Sequence, residues 1–213
     1  MAKITIIGGH GKVALRLARL LSERGDVVTS WVRNPDHIAD VETTGSAAVV
    51  ADVESMNLDA LSQQLAGADA VVWAAGAGGG TAERTYAVDR DAAIRSMDAA
   101  ETAEVGRYVM VSYFYDKPDH GVSQGNSFFA YAEAKAAADT ALRDSALDWV
   151  ILGPSRLTDD PGTGCIETGT GVTASQVSRD DVAAVAARVL AAPSISRVTI
   201  DFNGGKTPID SAI

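Results

Sequence analysis

Lys3-Ile4-Thr5-Ile6-Ile7-Gly8-Gly9-His10-Gly11-Lys12-Val13-Ala14 decides the fold of this chain. After Lys3 the run Ile4-Thr5-Ile6-Ile7 is β-branched throughout and mostly apolar, as a buried strand requires. Glycines follow, and then Leu15-Arg16-Leu17-Ala18-Arg19-Leu20-Leu21 carries a helical apolar pattern. Strand, glycine turn and helix in that order place a helix N-terminus where it can hold a pyrophosphate. Glycine lets the backbone turn sharply and approach a ligand without a Cβ in the way. Ala14 stands where a small residue allows close helix–sheet packing. A glycine match alone is weak; its flanks give it weight.

Outward from this unit, strand and helix alternate. Val27–Val32, Ala47–Ala51, Ala70–Ala74, Tyr108–Val111, Trp149–Leu152 and Val198–Phe202 read as further strands. Helices are predicted over Leu58–Leu65, Thr81–Ala103, Phe128–Leu142 and Arg179–Ala191, the last capped by Ser178 with Asp180 and Asp181 in its first turn. Near-continuous apolar strands between helices predict an α/β fold with a doubly wound parallel sheet covered on both faces. Trp31, Trp73 and Trp149 fall in strands and read as core. Residues 155–176 are rich in Gly, Thr and Asp and read as a small irregular cap. No internal repeat or domain boundary is visible, so one domain spans 1–213.

Composition narrows the partners. Eighteen basic against 28 acidic residues give a net charge of −10, which argues against nucleic acid and anionic membranes. No leader pattern and no long apolar run are present, and Cys165 is the single cysteine. A cytoplasmic protein acting on a small molecule is expected, as a monomer or a homodimer. The three histidines, His10, His37 and His120, show no metal-binding spacing.

Open parallel sheets bind ligands beyond the carboxyl ends of their strands. Gly8, Gly9, Gly11 and Val13 belong to the first such end. His10 is expected to offer its backbone N–H to a pyrophosphate, with its imidazole towards solvent. Lys12 adds a charge near a phosphate, or is a solvated lysine at a helix start. The second strand ends in Arg33 where an acid would hold a ribose 2′-hydroxyl, so NADP(H) is expected over NAD(H). The alternative is a surface arginine. Asp52 and Val53 end the third strand near the adenine position, where Asp52 either accepts from the adenine amino group or caps a turn. Ala74, Ala75, Gly76 and Ala77 end the fourth, small enough for a ribose to press on backbone.

Tyr131 and Lys135 lie four apart on a predicted helix and share one face. An ammonium beside the phenol would lower its pKa from about 10 and make it a usable acid or base. Ser112, ending the fifth strand, could orient the same substrate oxygen; Tyr113, Phe114 and Tyr115 could wall the pocket or pack under the loop. The competing reading of Tyr131, Lys135 and Ser112 is an ordinary helical pair and a strand-end hydroxyl.

Across nearly its whole length the chain resembles the atypical branch of the short-chain dehydrogenase/reductases, near the NmrA-like regulators and the flavin/biliverdin reductases. The resemblance is carried by Gly8-Gly9-His10-Gly11, Val32-Arg33-Asn34-Pro35, Asp52-Val53, Ala74-Ala75-Gly76-Ala77, Tyr131 with Lys135, Leu152–Thr158 and Gly204–Ile209. It implies a Rossmann-type sheet in the order 3-2-1-4-5-6-7, NADP as the usual ligand, and Pro154 and Ser155 along the nicotinamide half. Three departures stand out: His10 where Thr or Ser is commoner, Gly153 where Arg often precedes the proline, and a longer interval from Ser112 to Tyr131. The expected activity is NADPH-dependent reduction of a small carbonyl, quinone or flavin-like compound. The rival is an NADP(H)-binding redox sensor without turnover. A sugar-nucleotide epimerase is less favoured, because the chain lacks room for a large substrate domain.

Overall fold

The computed structural model describes residues 1–115 and 120–213. Its elements run β1 (Lys3–Ile7), α1 (Lys12–Glu23), β2 (Val27–Val32), a 3₁₀ turn (Pro35–His37), α2 (Ile38–Glu42), β3 (Ala47–Val50), α3 (Leu58–Leu65) and β4 (Ala70–Trp73). Next come α4 (Ala82–Thr85), a π-helical stretch (Tyr86–Ala92), α5 (Ala93–Thr102), β5 (Arg107–Val111), α6 (Phe129–Asp144) and β6 (Asp148–Pro154). The last part holds β7 (Arg156–Thr158), β8 (Cys165–Thr168), β9 (Gln176–Ser178), α7 (Arg179–Leu190), β10 (Val198–Gly204), β11 (Thr207–Pro208) and α8 (Ile209–Ala212).

The main sheet has the order β3-β2-β1-β4-β5-β6-β10-β8-β11. Pairing is parallel from β3 to β10, which is the expected 3-2-1-4-5-6-7 arrangement. Successive residues of the inner strands enter different cores. Ile4, Val72, Val109 and Val150 face the side covered by α1 and α7; Val71, Trp73, Tyr108, Met110 and Trp149 face the side of α3, α5 and α6. Both faces of each strand are therefore apolar, as a sheet between two helical layers demands. Trp31, Trp73 and Trp149 are all buried. Ser178 caps α7, its side chain accepting from the Asp181 N–H at 3.0 Å.

The expectation of an irregular cap over 155–176 is corrected. β7 and β9 form their own parallel pair. β8 adds to the main sheet antiparallel to β10, and β11 pairs antiparallel with β8. The physical reason for the misreading is length. β8 has four residues and one buried apolar side chain, Ile166, too few to display a period. Its place is fixed by backbone contact instead: a Cβ on Gly205 would lie 2.3 Å from the Ile166 carbonyl carbon. The β6 strand also runs through Gly153 and Pro154, because Phe202 of β10 pairs with Pro154. Among the described residues no helix is long and apolar enough to cross a membrane, and no cluster of His, Cys, Asp and Glu could hold a metal ion.

Candidate functional site

The turn from β1 into α1 is shaped by backbone crowding. Gly8 has φ +87°, and a Cβ there would fall 2.5 Å from Ala75 Cα. Only glycine satisfies both demands. The Gly11 N–H donates to Gly8 O at 2.9 Å and closes the turn. Gly11 caps α1 without a side-chain acceptor, and the first turn of α1 carries no acid. A helix start with no anion of its own, bordered by a surface too tight for side chains, fits a diphosphate. Lys12 and Val13 supply the first two helical positions. Gly9 is corrected from ligand-facing to packing: its N–H donates to Trp31 O at 2.8 Å, and a Cβ would meet Ser30 Cβ at 2.5 Å.

A cleft of about 410 Å³ opens from this turn. Gly8, His10, Gly11, Ala74, Ala75 and Gly76 form its floor, and Arg33, Asp52, Val53, Glu54 and Arg84 stand along its walls. The structure thus brings together most of the residues expected to hold the adenosine and diphosphate half. Arg33 is 57% exposed, with Glu54 3.7 Å away. Asp52 both lines the cleft and accepts the Glu54 N–H at 3.3 Å. Ala77 is buried behind the floor; its N–H donates to Asp89 at 2.9 Å and its carbonyl accepts from Arg84 Nη1 at 2.7 Å. The carboxylate at Asp89 comes from the π-helical stretch; burial pushes its pKa up.

Two more expectations change. The His10 imidazole does not face open solvent. It stacks on His37 at 3.6 Å and pairs with Asp40 at 2.9 Å. Both partners belong to the short helical segment 35–42, which the sequence reading missed. Lys12 points to Asp159 at 2.8 Å, not to a phosphate position. Arg179 and Arg16 approach the same carboxylate at 3.0 and 3.8 Å, and these cations hold Asp159 below the usual carboxylate range, the Lys12 contact first among them.

Beyond the cleft, Tyr131, Lys135 and Ser112 do not converge on one point. Lys135 is buried, its ammonium donating to Val111 O at 2.8 Å and touching Met110 Sδ at 3.5 Å. Ser112 Oγ donates to Asp139 Oδ2 at 2.6 Å in the interior. Asp139 also accepts from Tyr115 OH at 3.2 Å, and Arg143 reaches that hydroxyl at 3.5 Å. Burial lowers the Lys135 pKa and raises that of Asp139. The Tyr131 phenol is shifted up, by burial first and then by Asp89, Tyr113 and Asp139. Its expected lowering by Lys135 is therefore not seen: burial dominates, and the acidic side chains of Asp89 and Asp139 add to it. Sequence reasoning missed Asp139, although it lies one turn beyond Lys135 in the same polar stripe of α6.

An aromatic group gathers at this end. The Tyr113 ring lies 5.5 Å from both Phe128 and Tyr131, and 5.1 Å from Tyr115. Burial pushes the Tyr113 phenol up to about 12. Pro154 and Ser155 lie outside the 410 Å³ cleft; Ser155 Oγ is tied to Asn203 at 2.5 Å. Gly153 now has a reason: a Cβ there would fall 1.9 Å from Asp201 Oδ1, so Asp201 occupies the room a larger residue would need.

The glycine turn opens a match to the NAD(P)H-binding family that spans residues 8–193. The chain belongs to this family. Its uncharacterized sugar epimerase relative YhfK from Bacillus subtilis is 30% identical over 213 residues, covering 99% of this chain and 98% of its own. A solved protein from Bacillus halodurans shares 31% identity with a TM-score of 0.89, covering 98% of this chain and 97% of that one. The oxidoreductase ylbE from Lactococcus lactis shares 29% with a TM-score of 0.87, covering 99% and 94%. This chain is thus an NAD(P)H-binding protein, similar over nearly its whole length to proteins named as a sugar epimerase and as an oxidoreductase.

Proposed function

We propose that the protein is an NADPH-dependent reductase of a small carbonyl, quinone or flavin-like compound. The observation that carries this reading is the aromatic wall of Tyr113, Phe128 and Tyr131, with Phe128 44% exposed. The exposed Phe128 ring, with Tyr113 and Tyr131 partly buried beside it, favours a flat, conjugated partner, since stacked or tilted aromatic contacts contribute about 0.5–1.5 kcal/mol each beyond area burial. NADPH, when bound, supplies the hydride. Tyr131 holds its proton at neutral pH, as an ordinary phenol does, and gives it to a substrate oxygen; its burial-raised pKa works against that transfer. Lys135 and Ser112 act from behind, holding the β5 end and α6 together through Val111 and Asp139. Arg33, on the cleft wall, selects the phosphorylated cofactor. The protein works in the cytoplasm, where a lone cysteine stays reduced, on a small molecule and without nucleic acid or membrane, as a monomer or homodimer.

The test is NADPH oxidation with a panel of carbonyls, quinones and flavins, comparing wild type with Tyr131→Phe. Turnover lost about a hundredfold or more, with cofactor binding retained, is the expected result. Full activity in Tyr131→Phe removes that residue from the chemistry.

A redox-sensing reading is favoured by one observation: Ser112 and Lys135 are satisfied internally. No turnover on any substrate, with different affinities for NADP⁺ and NADPH, would establish it. Sugar epimerisation, raised by the name of YhfK, fits less well, since much of 155–178 is spent on β7, β8 and β9.

A further inference from the structure

Glu54 stands between two arginines from separate parts of the chain. Its Oε2 lies 3.7 Å from Arg33 Nη1 and 3.6 Å from Arg84 Nε. Both separations are too long for hydrogen bonds, so the attraction is coulombic. Arg33 follows β2, Glu54 follows β3 and Arg84 sits in α4, yet all three line the same cleft. Arg84 is partly anchored, because Nη1 donates to Ala77 O at 2.7 Å. Its Nε remains directed at the carboxylate across the cleft. Two guanidinium groups around one acidic side chain form a cationic clamp with a built-in competitor. A phosphate monoester carries nearly two charges at neutral pH, against one on a carboxylate, and offers more acceptor oxygens.

We propose that Arg84 is a second cation for the 2′-phosphate of NADP(H), and that Glu54 sets how far this cofactor is preferred over NAD(H). The inference rests on Arg33 being the first such cation. NAD(H) carries a hydroxyl at this position and gains nothing from the second arginine. Glu54 competes with the phosphate for both arginines, repels it, and so narrows the margin between the two cofactors.

Calorimetric titration of NADPH and NADH into wild type, Glu54→Gln, Arg84→Gln and Arg33→Ala tests this. The affinity ratio of NADPH to NADH should rise about fivefold in Glu54→Gln and fall about tenfold or more in Arg84→Gln. Raised salt should shrink both changes. If Arg84→Gln weakens both cofactors equally, Arg84 serves only the Ala77 loop and the proposal fails. An unchanged ratio in Glu54→Gln also overturns it. A normal ratio in Arg33→Ala alongside a shifted one in Arg84→Gln refutes the Arg33 reading, and with it Arg84 as a second cation. No heat from either cofactor with wild type overturns the site itself. Should Arg84→Gln not fold, Arg84→Lys keeps a cation and still breaks the planar fork, so its ratio must fall too.

Discussion

The two ends of the sheet's carboxyl edge are built from different materials. Around β1, β2 and β4 the cleft is made largely of main chain: Gly8 crowds Ala75, Gly9 crowds Ser30, and α1 starts with no acid of its own. Around β5 and α6, beyond the cleft, the edge is built on buried ionisable side chains: Lys135 and Asp139, with the Tyr115 hydroxyl on Asp139. Backbone geometry recognises a constant group, such as a diphosphate. Side-chain networks can vary with the substrate while the fold is kept.

Substitutions at either end can break that contrast. The largest effect is expected from Gly8→Val. A left-handed backbone costs a β-branched residue about 1–2 kcal/mol, and overlap with Ala75 adds about 1–3 kcal/mol. Denaturant unfolding should show the loss, and calorimetry should show no dinucleotide binding. Retained binding would mean that main-chain fit does not govern this end. Arg33→Ala comes next, with NADPH affinity reduced by about 1.5–3 kcal/mol, roughly ten- to a hundredfold. At the other end, Ser112→Ala leaves Asp139 Oδ2 with the longer Tyr115 bond alone. Stability should fall by about 1–3 kcal/mol, read from the shift in denaturation midpoint. A drop in turnover at unchanged stability would instead return Ser112 to the substrate.

The smallest effect at any one pH concerns Asp139. Its folded-state pKa is raised by burial, against the pull of Lys135 and Arg143. Between the unfolded value, about 3.9, and the raised folded one, the native state binds the extra proton. Stability contributed by this group therefore falls as pH rises through that window. Asp139→Asn should flatten the wild-type slope there by up to about 1.4 kcal/mol per pH unit, while the contribution of Asp89, also raised, persists. An identical slope in the variant would mean that Asp139 is ionised at ordinary cost.

Legibility in the sequence follows the same division. Apolar runs such as Ala70–Trp73 and the glycine turn are local signals, and they placed the strands and the cleft floor. The stacking of His10 on His37 joins residues far apart in sequence, through a helical segment too short to show a period. Lys12 could not be traced to Asp159 because nothing local links the helix start to the chain after β7. The spacing of Tyr131 and Lys135 correctly gave a shared helix face. It could not tell that Lys135 and Asp139 are buried while Tyr131, on the same face, is only partly so.

The wide winding over Tyr86–Ala92 has a consequence for descent. An ordinary helix advances about 100° with each residue. Loss of one codon in this segment would tighten it to regular winding and swing Asp89 off the Ala77 amide it now holds. A relative one residue shorter here would lack this anchor even where its helix looks intact.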